Sequence, residues 1–254
     1  MIELNIIMNV DEFILRYAAA ERNFPDIDLS YVDLQEANLV NLNLTGANLS
    51  YADLREARLG KANLSKANIS HANLSETILW GANLSEANLY QAQLREADLT
   101  GAKLIKTSLE KTQLIKACLS GCNLNHANLS HAILFEANFR PNQNQQTDLT
   151  DAILVEADLS YANFSGAILE RANFEKAKLC HAIFGVSGLG ILSSEQSYKT
   201  NLTGVNFKDA DLSYADFSGA NLSDANLQGA DLTRTILTHA NLHGAVMPDG
   251  TIHD

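Results

Sequence analysis

The chain has 254 residues, with 18 Lys and Arg against 30 Asp and Glu, for a formal net charge of −12. Its 46% hydrophobic content excludes wholesale disorder, and its acidic excess argues against a phosphate-binding surface, which needs clustered Lys and Arg. No apolar run approaches the roughly 18 residues of a membrane span, and the opening Met1-Ile2-Glu3-Leu4-Asn5 lacks the basic start of a secretory leader, so a cytoplasmic protein is expected.

The first predicted element is a helix. Asn9 reads as its N-cap, with Glu12 three residues on. Val10, Phe13, Ile14, Tyr17 and Ala18 then share one helical face. The spacing predicts a helix over roughly 10–21, inside an N-terminal extension of 1–26, whose apolar face closes the core that follows.

From Leu29 to Phe184 a large apolar residue stands at every fifth position, Asn144 excepted, and the beat resumes from Leu202 to Met247. Two places before each stands a small residue, most often Ala, with Asn or Asp between them. A period of five fits neither regular element. On a helix five steps turn the chain through about 140°, which scatters the leucines. On a straight strand an odd period alternates faces. Within one unit, however, Ala and Leu are two apart and point the same way on extended backbone. The next two residues, rich in Ser, Gly, Asn and Asp, must turn the chain. The chain therefore winds about an axis, with Ala and Leu inside: a solenoid.

Glu36, Glu56, Glu76 and Glu96 recur at a lag of twenty, a series that Glu136 and Glu156 extend past Lys116. Tyr31, Tyr51 and His71 share that lag, as do Gly81, Gly101 and Gly121. A lag of fifteen gives no pattern. Four sides per coil are expected, with coils about 4.8 Å apart.

Units such as Ala47-Asn48-Leu49-Ser50, Ala87-Asn88-Leu89, Ala162-Asn163-Phe164-Ser165 and Ala220-Asn221-Leu222-Ser223 carry a resemblance. The chain resembles the pentapeptide-repeat family, whose motif is Ala-(Asn/Asp)-Leu-x-x. The resemblance implies a right-handed, four-sided (quadrilateral) β-helix. The expected fold is thus an all-β solenoid with a short N-terminal capping α-helix. It runs over 27–189, continues over 200–254, and carries an inserted loop at 190–199.

Two segments break the rhythm. Arg140 to Gln146 keeps the register but puts Asn142 and Asn144 at inward positions, where unpartnered amides are costly; a local bulge is expected. Beyond Phe184 a last unit centres on Leu189, after which the phase slips by three residues. Ile191, Leu192 and Tyr198 of the following loop form a candidate functional segment. At the far end Met247-Pro248-Asp249-Gly250 reads as a terminating turn with no helix after it.

On the outside, Ile115, Ile133, Phe135, Ile153 and Val155 are expected on one wall across adjacent coils, a contiguous group that marks a covered or contacted surface. The loop, folded down on it, is one expected cover; dimerisation or a partner is the other. The Glu36, Glu56, Glu76 and Glu96 column is the second candidate partner surface. Catalytic and metal chemistry find no constellation. His71, His126, His131 and His181 fall on different walls or distant coils, and a metal needs converging ligands. Cys118 points outward, Cys122 inward, and Cys180 is expected three coils away on the wall of Cys118, so no disulfide is expected. No cofactor and no enzymatic activity are expected. The reading is a rigid acidic rod displaying a surface to an unidentified protein partner, without direct nucleic-acid or membrane binding, as a monomer or weak dimer. The resemblance implies an alternative: a DNA-mimicking protein that binds a type II topoisomerase, gyrase.

Overall fold

A computed structural model describes residues 10–185 and 198–254. The chain coils as the five-residue beat requires. The residue before each central Leu pairs in parallel with its equivalent twenty residues on: Asn48 with Asn68, Asn68 with Asn88. Twenty residues per turn at five per side make four walls. We number them by their first complete units: Leu29 opens the first wall, Leu34 the second, Leu39 the third and Leu44 the fourth.

Hydrogen bonds run between coils. Leu49 N–H donates to Asn68 O at 2.7 Å, and Asn68 N–H returns to Ala47 O at 2.9 Å. Each corner closes with a bond inside its own turn, as Ala47 N–H to Leu44 O at 3.0 Å. This turn holds its third residue in the left-handed region, Gly46 at φ 68° and Glu56 at φ 56°. The Asn or Asp before Leu serves both directions. Asn48 Oδ1 accepts from Ser50 N–H at 3.2 Å within its own corner and from Asn68 Nδ2 at 3.3 Å in the next coil.

The interior is filled by side chains. Leu49, Leu54, Leu59 and Leu64, with Ala52, Ala57, Ala62 and Ala67, are buried. Each such Leu contributes about 1.5–3 kcal/mol. Thr107 takes an Ala place and donates its hydroxyl to Leu84 O at 2.8 Å, so this buried hydroxyl is satisfied. Toward the C-terminus, Phe139, Phe164, Phe184 and Phe217 stack along the third wall at 4.5, 4.9 and 4.5 Å.

Helix α1 spans Val10–Ala18 and is shorter than expected. Ala20 turns left-handed at φ 67°, and Glu21 N–H reaches back to Arg16 O, closing the helix without a glycine. The buried face is also narrower than expected. Phe13 is buried and meets Phe24 edge-on at 4.8 Å, while Tyr17 packs beside it. Ile14 is 53% exposed and Ala18 is exposed, so neither helps to close the coil.

The two interruptions differ. Across the first, Asn123 pairs with Asp148, a lag of 25 residues. One whole unit is extruded: Gln143 and Asn144 are exposed, and Thr147 resumes the inward position. The bulge is present as expected, and Asn142 caps it by accepting from Asn144 and Gln145 N–H. Across the second, Ile168 pairs with Asn201, a lag of 33, which is thirteen more than a coil. The wall after Phe184 is therefore supplied by the unit of Leu202; the unit expected at Leu189 lies outside the described residues. At the C-terminus Gly250 N–H donates to Met247 O, forming the expected turn. The tail then folds back so that Ile252 pairs antiparallel with Val246. This covers the first wall alone. Leu232, Leu237 and Leu242 of the final coil stay partly exposed.

Candidate interaction surface

The left-handed corner residue points away from the tube, so residues there form columns along the rod. On the corner after the second wall the column begins with Glu36, Glu56, Glu76 and Glu96, as expected. Among the described residues Glu36, Glu56 and Glu76 lie in no ion pair, whereas Glu96 meets Arg95 at 3.2 Å and Glu136 meets Lys116 at 3.6 Å. Glu156 does not belong to this column. The extruded unit advances it to the corner of the first wall, where it lies 3.4 Å from His131 Nδ1. The second-wall column continues instead with Tyr161, His181, Tyr214 and Arg234.

Two aromatic ladders result. Tyr31, Tyr51 and His71 stack at 4.9 and 4.6 Å on the corner of the first wall, and Tyr90 meets His71 edge-on at 5.7 Å. Farther along, Phe135 meets Tyr161 at 5.4 Å, and Tyr161, His181 and Tyr214 stack at 4.8 Å each. The twenty-residue lag of Tyr31, Tyr51 and His71 was a usable signal for the first ladder. The second is hidden by coils of 25 and 33 residues.

The apolar group does not lie on one wall. Ile115, Ile133 and Phe135 sit on the second wall; Ile153, paired with Asn128, and Val155 sit on the first. The reason is again the extruded unit, which moves every later residue back by one side. The group therefore wraps a corner. Ile133 and Ile153 are each 41% exposed, and Ile115, Phe135 and Val155 are half-buried. Of the loop expected to cover it, Ile191 and Leu192 lie outside the described residues. The Tyr198 Cβ lies beside Gly166, on the corner after the third wall and away from the group.

Other polar groups are structural. The Cys122 thiol is buried, donates to Leu99 O at 2.9 Å, and is pushed up in pKa by that burial. Cys118 contacts Thr100 Oγ1 at 3.3 Å on the third wall. Cys180 lies on the second wall, not that of Cys118, for the reason that displaced Glu156. His126 and His131 face Asp151 and Glu156 on consecutive walls. Among the described residues no group of three metal-ligating side chains converges, and no helix is long and apolar enough to cross a membrane.

The sequence matches the family described as Pentapeptide repeats over 27–140, 147–185 and 199–249, and the unmatched gaps coincide with the two interruptions. The crystal structure of HetL, a pentapeptide repeat protein involved in heterocyst differentiation regulation from the cyanobacterium Nostoc sp. strain PCC 7120, is 54% identical. The match covers 97% of this chain and 100% of HetL, with a TM-score of 0.86. The pentapeptide repeat protein Rfr23 from the cyanobacterium Cyanothece 51142 is 30% identical over 52% of this chain and 95% of its own, with a TM-score of 0.35. QnrB1, a plasmid-mediated fluoroquinolone resistance protein, is 18% identical over 89% of this chain and 92% of its own, with a TM-score of 0.37, too distant to carry an argument. Among functionally curated proteins none matches the chain significantly. The neighbouring folds give the coil its hand, a right-handed quadrilateral β-helix. By its repeats, its four walls and its likeness to HetL along its whole length, the chain belongs to the pentapeptide-repeat family.

Proposed function

We propose that this chain is a non-enzymatic interaction protein that acts, like its 54% identical relative, in the regulation of heterocyst differentiation. The observation that carries the reading is the extent of that match, which includes nearly the whole chain and all of the relative. The architecture supports it: a filled tube contributes by display, holding side chains in fixed columns on a scaffold that has little freedom to lose on binding. The corner group of Ile115, Ile133, Phe135, Ile153 and Val155 supplies an apolar docking area, since contiguous exposed aliphatics mark contact surfaces.

The test is expression in Nostoc PCC 7120 from an inducible promoter, with HetL raised to the same level in a parallel strain and heterocysts counted along filaments. A shift in heterocyst frequency in the same direction as the HetL strain supports the role; an unchanged frequency beside a responding HetL strain overturns it. The double change Phe135→Ser with Val155→Ser is expected to abolish the shift while the purified variant keeps its β-rich circular dichroism spectrum. A full response from that variant removes the apolar corner from the docking surface.

A further inference from the structure

Both aromatic ladders are closed at their C-terminal ends by a cation from this chain. Lys111 Nζ lies 5.3 Å from the centre of Tyr90, and the Arg234 guanidinium lies 5.6 Å from that of Tyr214. Cations are drawn to the negative face of an aromatic ring, so such ends are complementary. The opposite end of the first ladder is Tyr31. It is 74% exposed, and among the described residues no cation lies over its ring.

The second wall beside it has a strong charge imbalance. Asp33, Glu36, Asp53 and Glu56 share this stretch of wall with one guanidinium, that of Arg55. Arg55 is already engaged by Asp53 at 2.6 and 2.9 Å. Four carboxylates against one cation leave three negative charges. Arg58, on the third wall past the corner, is within ion-pair distance of no carboxylate among the described residues.

We infer that the open ring face of Tyr31, the end of the stack it forms with Tyr51 and His71, receives an arginine side chain from the protein partner, an inference that rests on the interaction role proposed above. Either cation can sit over a ring, but arginine fits this face better than lysine. Its planar guanidinium lies flat on a tyrosine ring while its edge donates two parallel hydrogen bonds to a carboxylate, whereas an ammonium offers a point charge. The ring and the carboxylates are held by neighbouring coils of a packed tube, so they need little ordering when the guanidinium arrives.

The test uses the full chain and two acetylated, amidated peptides of equal charge, (Arg-Ser)4 and (Lys-Ser)4, titrated calorimetrically at one ionic strength. The arginine peptide is expected to bind about fivefold tighter, the size of one exposed cation–ring contact. Tyr31→Ala with Tyr51→Ala removes that preference. Glu36→Gln with Glu56→Gln weakens both peptides, the arginine peptide more. Asp209→Asn with Asp224→Asn, at the far end of the rod, changes neither.

Equal affinity for the two peptides, a preference that survives loss of both tyrosines, or an equal loss from the far-end variant would each overturn the inference in favour of diffuse attraction to an acidic surface. The two proposals fail separately. Peptide preference without a heterocyst response removes the regulatory role and leaves an arginine-binding face; a heterocyst response without peptide preference does the reverse.

Discussion

Glu86 occupies a corner at φ 60°, a backbone state that costs an L-residue about 1–2 kcal/mol because Cβ crowds the following carbonyl. Most corners accept that cost with Glu, Lys, Tyr or His instead of Gly, and gain an outward column of side chains. Glu86 is exposed and takes part in no ion pair among the described residues, so it isolates the backbone effect. Glu86→Gly is expected to stabilise by up to about 1 kcal/mol, and Glu86→Val to destabilise by about 1 kcal/mol, in urea unfolding. A second residue-scale prediction concerns acid. The Arg55 guanidinium, donating to Asp53, holds that carboxyl below the usual carboxylate range. A folded pKa lying under the unfolded value of about 3.9 adds stability that is complete above that value and lost as pH falls through the folded one. The stability gap between the native chain and Arg55→Ala should therefore hold steady from neutral pH down to about 5, then narrow below about 4.

At the scale of the element, the bulge is an insertion of one repeat length. Removing 141–145 joins Arg140 to Gln146 and leaves the run Phe139-Arg140-Gln146-Thr147-Asp148-Leu149, an unbroken unit. The shortened chain is expected to fold with every later coil intact and an unfolding free energy in urea within about 1 kcal/mol of the parent, because the lost residues are mostly exposed. Removing three residues instead should unfold the C-terminal half, since it would turn Leu and Ala outward. The same arithmetic explains what the sequence could reveal. The second interruption adds thirteen residues, so its phase slip of three is visible in the leucines. The first adds five, which leaves the beat untouched while shifting every later column by one wall. That is why the series from Glu36 to Glu96 was legible, whereas Glu156, Cys180, Ile153 and Val155 were assigned to the wrong wall. The early end of α1 was illegible for another reason. Ala18-Ala19-Ala20-Glu21 carries no glycine stop, and the helix closes there through the Arg16 ion pair with Glu21 and the docking of Phe13 on Phe24.

For the whole molecule, the polar exterior and apolar interior follow from one repeated decision at each quintet, and that is why the architecture could be read before any coordinates. The docking surface could not be read so fully. It depends on which residues become neighbours between coils, and two insertions set that. Ile133 and Ile153 were sequence neighbours of a pattern, but they became parts of a wrapped corner only through the coil of 25 residues. Stability in such a rod is a sum of nearest-neighbour terms, so damage to one coil is felt locally, and only the two ends lack a neighbouring coil to cover them.

Those two ends are unequal. Phe13 seals the start, whereas Leu232, Leu237 and Leu242 meet solvent at the finish, where only one side is roofed by the returning tail. A fibre requires that the head of each copy accept the tail of the next, and here the head is shut. Rim-to-rim contact would be a two-fold pairing that ends at two molecules, whereas stacking of rim on head would first have to displace Phe13.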